Sequence, residues 1–67
     1  MDSKLQTFLT LCQTMNYRIA AEQLHLSQPA VTKQIQALEQ LLQTKLFRYD
    51  GHILHKTETC LLLERYA

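Results

Sequence analysis

The chain has 67 residues, 46% hydrophobic and 19% charged, which is the composition of one small globular domain and excludes a disordered tail. A chain this short buries only about 60% of its unfolded surface, which excludes a deep-pocketed enzyme and a two-domain sensor. Seven Lys/Arg against six Asp/Glu leave a net charge of +1, so bulk charge announces no polyanionic partner, and any such partner must be argued from where the polar groups lie. The longest leucine run, Leu61-Leu62-Leu63, is far too short to span a bilayer. The start, Met1-Asp2-Ser3-Lys4, lacks the basic and apolar stretches of a secretory signal, so the expected location is cytoplasmic, without a membrane. Cys12 and Cys60 have no close spacing and read as two free thiols in a reducing compartment rather than a disulfide. His52 and His55, three apart in a predicted hairpin, fall on opposite faces, so with His25 they make no metal site. No cofactor is implied.

Helical periodicity begins at Ser3. Leu5, Phe8, Leu9 and Cys12 recur at i, i+3, i+4 and i+7, with Leu11 and Met15 widening the stripe, which predicts a helix to about Thr14. Asp2 or Ser3 can cap it. Asn16 breaks the pattern and can cap a second helix over about Arg18–Leu24, whose small Ala20 and Ala21 permit close helix approach. Tyr17 can pack back onto that helix as a hydrophobic staple.

His25-Leu26 is too short for a free loop. Histidine tolerates positive φ, so His25 is suited to ending the second helix. Ser27 is a strong N-cap, and Pro29 fits the first turn of a third helix, where the missing N–H has no partner to lose. That helix runs from Gln28 to about Gln43. Val31, Ile35, Leu38 and Leu42 form its core stripe, whereas Gln28, Pro29, Thr32, Lys33 and Gln36 gather on another side. Leu46–Tyr49 and Ile53–Lys56 are β-prone runs separated by Asp50-Gly51-His52, a hairpin signal that contains the only glycine. Thr57 or Glu58 opens a last helix with Leu61, Leu62 and Leu63 on it. No stop signal precedes Ala67, so it reads as a helix cut short.

The predicted architecture is mainly α with a small β-hairpin. It is a winged helix-turn-helix of three core helices, a two-stranded wing and the start of a further helix, divided at 1–57 and 58–67. The geometry suits duplex DNA. A major groove about 12 Å wide accepts one helix, and the second helix of a helix-turn-helix projects into it, N-terminal amides towards phosphate. Gln28 can pair with adenine, Thr32 can touch a base methyl or a phosphate, and Lys33 suits phosphate.

The run from Ala20 to Ile35, with Ser27-Gln28-Pro29-Ala30 at its centre, resembles the helix-turn-helix of LysR-type transcriptional regulators. Leu38-Glu39, Leu46-Phe47 and Thr57-Glu58 continue the resemblance at the expected distances, so that it covers Leu5 to Leu63. The resemblance implies a bacterial transcription factor whose domain binds an inverted-repeat promoter site on double-stranded DNA as a homodimer. It also implies recognition helix 28–42 in the major groove, wing 49–53 at the minor groove, a dimerising linker helix from 58, and an effector-binding domain absent from these residues. By position it assigns DNA contact to Ser27, Gln28, Pro29, Thr32, Lys33 and His52. Arg18 at a helix start and Arg48 on the hairpin join them as candidate phosphate clamps.

This sequence departs from the family pattern at several positions. Lys33 stands where arginine is usual, and a point charge favours phosphate over bidentate base contact. His52 stands where arginine is frequent, so minor-groove insertion is expected to be weaker and pH-dependent. Tyr49 replaces a wing arginine, Arg18 a small hydroxyl cap, and Gln43 and Cys60 replace glycines. With only ten residues of the dimerising helix, this chain alone is expected to dimerise poorly.

Each polar residue also has a plainer reading. Gln28 and Thr32 can instead be solvated helix surface, Ser27 a cap alone, and Arg48 and Lys56 edge protection of the hairpin. Tyr66 and the leucines before it fit an internal core or a dimer seam. A winged-helix protein-interaction or dimerisation module without DNA binding is the competing function, although the outward face of the third helix lacks the aromatic anchors interfaces favour. No nucleophile–base pair, metal cluster or glycine-rich phosphate loop supports an enzyme.

Overall fold

A computed structural model describes residues 3–67; Asp2 as a cap lies outside the described residues. The predicted periodicities become α1 (Ser3–Thr14), α2 (Tyr17–Leu24), α3 (Gln28–Leu42), β1 (Phe47–Asp50), β2 (Ile53–Lys56) and α4 (Glu58–Tyr66). The three first helices pack on one another through Phe8, Leu11 and Cys12 of α1, Ala20 and Ala21 of α2, and Val31, Ile35 and Leu38 of α3. The two alanines fill the crossing as their size predicts. Leu46, Phe47 and Cys60 close the core from the far side, with the Phe8 and Phe47 rings tilted at 54° and 5.9 Å apart.

Thr7 is the one polar residue buried in this core among the described residues. Its hydroxyl donates to Gln34 Oε1, joining α1 to α3 and meeting the cost of burial. Leu42, predicted on the α3 core stripe, is 41% exposed. The stripe drifts around the helix, and by its last turn α3 has run past the body it packs against.

The helix ends share one device. Met15, His25 and Gln43 follow α1, α2 and α3 with φ of 51°, 57° and 56°, all left-handed and none glycine. At α2 the His25 amide donates to Glu22 O and the Leu26 amide to Ala21 O. At α3 the Gln43 amide donates to Gln40 O and the Thr44 amide to Glu39 O. Both are Schellman closures, which satisfy otherwise orphaned carbonyls and reverse the chain within one or two residues. Side-chain caps then restart it. Asn16 Oδ1 accepts from the Ile19 amide at 3.0 Å, and Ser27 Oγ accepts from the Ala30 amide at 3.2 Å.

The hairpin is tighter than the sequence implied. Leu46 stays outside β1, Asp50 pairs with Ile53, and only Gly51-His52 remain as the turn. Gly51 lies at φ +63°, the backbone that a II′ turn gives its first central residue. A lone hairpin is marginal, and this one is tied at its base. The Thr57 amide donates to Leu46 O, and its hydroxyl donates to Lys45 O at 2.6 Å while accepting from the Cys60 amide as the α4 cap. Lys56 Nζ sits 3.0 Å from Glu64 Oε1, pinning β2 to α4. The leucines of α4 divide: Leu63 packs against the core, while Leu61, Leu62 and Tyr66 are exposed.

A left-handed residue that is not glycine costs roughly 1–2 kcal/mol, part of which glycine returns through unfolded-chain entropy. Gln43 is exposed, so no packing opposes its replacement. Gln43→Gly is expected to raise the free energy of urea unfolding by about 0.5–1 kcal/mol with unchanged denaturant slope.

Candidate nucleic-acid interface

The α2–α3 turn aims α3. With His25 left-handed and Ser27 extended, Gln28 is the first residue of α3 and stands at its leading end. Burial of Val31, Ile35 and Leu38 on one side forces Gln28, Pro29, Thr32, Lys33 and Gln36 to the other, where the five side chains line a single open groove. Gln28, Pro29, Lys33 and Gln36 are exposed and Thr32 is half-buried. The Thr32 hydroxyl donates to Gln28 O at 3.2 Å, so its oxygen remains able to accept. Lys33 makes no ion pair with any described residue. The surface therefore offers amide and hydroxyl groups, one free ammonium and the positive end of a helix dipole.

A second cleft joins this face to the wing. Gln28 of α3, Asn16, Tyr17 and Arg18 at the start of α2, and Tyr49, His52 and Leu54 of the hairpin line it. The Tyr17 and Tyr49 rings stack at 6.5 Å with 29° between planes, which fixes the hairpin against α2. His52 is thereby held at the cleft that opens beside Gln28. A third hollow, lined by Thr32, Gln36, Glu39, Lys45 and Arg48 among others, continues the surface along the other side of the hairpin.

All eight sequence-predicted site residues thus lie on or next to one connected face. Arg48 is exposed on β1 and makes no ion pair with described residues. Arg18 is also exposed, but its guanidinium already holds Glu22 Oε2 at 3.0 Å, so a phosphate must compete for it. Lys56, weighed as a hairpin cation, is committed to Glu64. Ser27 is exposed and serves as the α3 cap. Among the described residues no cluster of three or more His, Cys, Asp or Glu is arranged to hold a metal, and no helix is long and apolar enough to cross a membrane.

The model for the bacterial regulatory helix-turn-helix proteins of the lysR family matches residues 3–60. The chain belongs to that family. An uncharacterized HTH-type transcriptional regulator of Azotobacter vinelandii is 45% identical over 56 residues, covering 84% of this chain and 39% of the relative. A crystal structure of a LysR-family transcriptional regulator from Eggerthella lenta superposes with a TM-score of 0.95 at 42% identity, covering 98% of this chain and 94% of that one. The CbnR DNA-binding domain in complex with DNA superposes with a TM-score of 0.86 at 30% identity, covering 94% of this chain and 72% of that one. This LysR-family chain spans 39%, 20% and 23% of three relatives it matches in sequence.

The fold of this LysR-family member is accordingly a winged helix-turn-helix. The Tyr17–Tyr49 stack is the part of its site that sequence reading missed. The two residues lie 32 positions apart in the chain, and no local pattern pairs them. Asn16 was expected only as a cap, yet it also lines the cleft.

Burial pushes the Tyr17 phenol from 10.0 to about 12, with the Glu39 carboxylate and the Tyr49 phenol adding to the effect. Between pH 10 and 12 the unfolded chain releases a proton that the folded chain keeps, so stability falls as pH rises through that window. The Cys12 and Cys60 thiols, raised from 9.0 chiefly by burial, start the fall about one unit earlier. The thermal midpoint is expected to decline from about pH 9 upward. Tyr17→Phe, which keeps the ring, should make the decline between pH 10 and 12 shallower, leaving the part due to the two thiols.

Proposed function

We propose that this chain binds double-stranded DNA sequence-specifically as the DNA-binding domain of a bacterial LysR-type transcription regulator. The observation that carries the reading is the five-residue polar face of α3. It is exposed except for the half-buried Thr32, is free of aromatic anchors and is turned away from the buried stripe of Val31, Ile35 and Leu38. The likeness to a DNA-binding domain in complex with DNA supports it. In this reading α3 enters the major groove, Gln28 and Thr32 meet base edges, and Pro29 contacts base or sugar. Ser27, the α3 amides and Lys33 hold one phosphate run. Arg18 and Arg48 reach the backbone on either side, and His52 in the wing turn lies at the minor groove.

The chain acts by recognition rather than catalysis. Residues 1–57 form the reading domain, and α4 begins the helix through which two copies pair on an inverted repeat in the bacterial cytoplasm. Two copies then place their α3 helices in successive major grooves on one side of the duplex. The exposed Leu61, Leu62 and Tyr66 of α4 support the pairing. The nine residues of α4 by themselves give weak pairing without DNA.

The test is selection from a random duplex pool followed by fluorescence anisotropy against the enriched sequence. Binding should weaken steeply with salt as phosphate contacts release counterions. Lys33→Ala should lower affinity for all sequences alike and reduce the salt slope by about one. Gln28→Ala should instead lose about 1–3 kcal/mol of discrimination at one base position. Absence of any duplex binding at low salt by the folded chain would overturn the reading in favour of a protein-interaction module.

A further inference from the structure

Cys12 and Cys60 are 48 residues apart in sequence, and the fold brings their Sγ atoms to 3.8 Å. Cys12 lies on the inner face of α1, and Cys60 lies in the first turn of α4. They are 4% and 0% exposed, both are free thiols, and each sits in the hydrophobic core. An S–S bond is about 2.05 Å long, so each sulfur need move only about 1 Å to meet the other, a displacement within reach of side-chain rotation. Neither cysteine lines the grooves at the α3 face or the wing.

We propose that Cys12 and Cys60 are a redox modification site, a dithiol that a small-molecule disulfide such as oxidised glutathione converts into an α1–α4 crosslink. One cysteine thiolate attacks a sulfur of glutathione disulfide; that S–S bond breaks, a mixed disulfide forms and one glutathione thiolate leaves. The second cysteine thiolate attacks the protein sulfur of the mixed disulfide, and the second glutathione leaves. The two cysteine protons end on the two glutathiones. The protein loses two protons and two electrons, and one glutathione disulfide takes them up to become two glutathione thiols.

The fold sets both the rate and the consequence. Burial holds both thiols in the unreactive protonated form, so attack follows separation of the α4 base from α1. The site is therefore a slow lock rather than a fast sensor. Once closed, the crosslink fixes where α4 leaves the body and leaves the outer face of α3 unchanged. The proposal stands apart from DNA binding.

The test equilibrates the 67-residue chain in a glutathione redox buffer, with and without urea, followed by acid quenching, alkylation and mass measurement. The folded chain should yield a monomer two hydrogens lighter, closed to alkylation until dithiothreitol is added. Its ratio of disulfide to dithiol should exceed that in urea by about tenfold or more, because the folded state holds the sulfurs together. Oxidation should raise the thermal midpoint reversibly, and Cys60→Ala should abolish the mass loss. A ratio in the folded chain no higher than in urea would overturn the proposal. So would glutathione adducts or intermolecular dimers as the only products.

Discussion

Burial of one stripe on α3 governs this molecule. Val31, Ile35 and Leu38 fill the space between α1 and α2, and no other apolar triplet of that spacing is available to α3. A helix has a fixed angular pitch, so committing this stripe to the core commits the opposite arc to solvent. The face of Gln28, Pro29, Thr32, Lys33 and Gln36 is thus turned away from the body by core packing. That arrangement leaves the face free to vary in chemistry while its position stays fixed.

Entry into α3 is controlled as closely as its rotation. The Schellman closure at His25 and the Ser27 cap reverse the chain within a few residues, so α2 and α3 cannot splay. Positive φ at Met15, His25 and Gln43 means that each core helix ends in backbone strain borne by an ordinary side chain. The chain's single glycine is used instead at the wing turn, where the two-residue loop requires it. Tertiary packing of the core therefore has to outweigh three left-handed residues, each at roughly 1–2 kcal/mol.

Most of this was legible in the sequence because the deciding signals are local. Periodicity places the helices to within a residue or two, Asn16 and Ser27 are legible as caps, and Thr57 is one of two candidates that the structure resolves in its favour. Asp-Gly located the hairpin. What escaped was long-range. The Tyr17–Tyr49 stack and the Cys12–Cys60 contact join residues that no window of sequence compares. Pairings of charge escaped in the same way: Lys56 looks like an edge cation until Glu64 is found on the neighbouring helix. Leu42 misled because periodicity carries an apolar stripe onward even where the partner surface has ended.

Charge placement decides how a domain with a net charge of only +1 can meet a polyanion. Arg18 and Lys56 are each held at 3.0 Å by a carboxylate, and Lys45 faces Glu39 at 4.0 Å. Lys33 and Arg48 make no such pair among the described residues, and they flank the α3 face and the wing. Under the proposed reading, one copy neutralises few phosphates, and its backbone affinity rests largely on neutral donors: the α3 amides and the Ser27 hydroxyl. Such donors need close approach and correct orientation, whereas a cation acts at longer range. A surface of this kind gains little from non-specific attraction and more from fit. In the same reading, pairing two copies on one duplex supplies by effective concentration what each copy lacks in charge. The exposed leucines of α4 then bear on DNA affinity through that pairing.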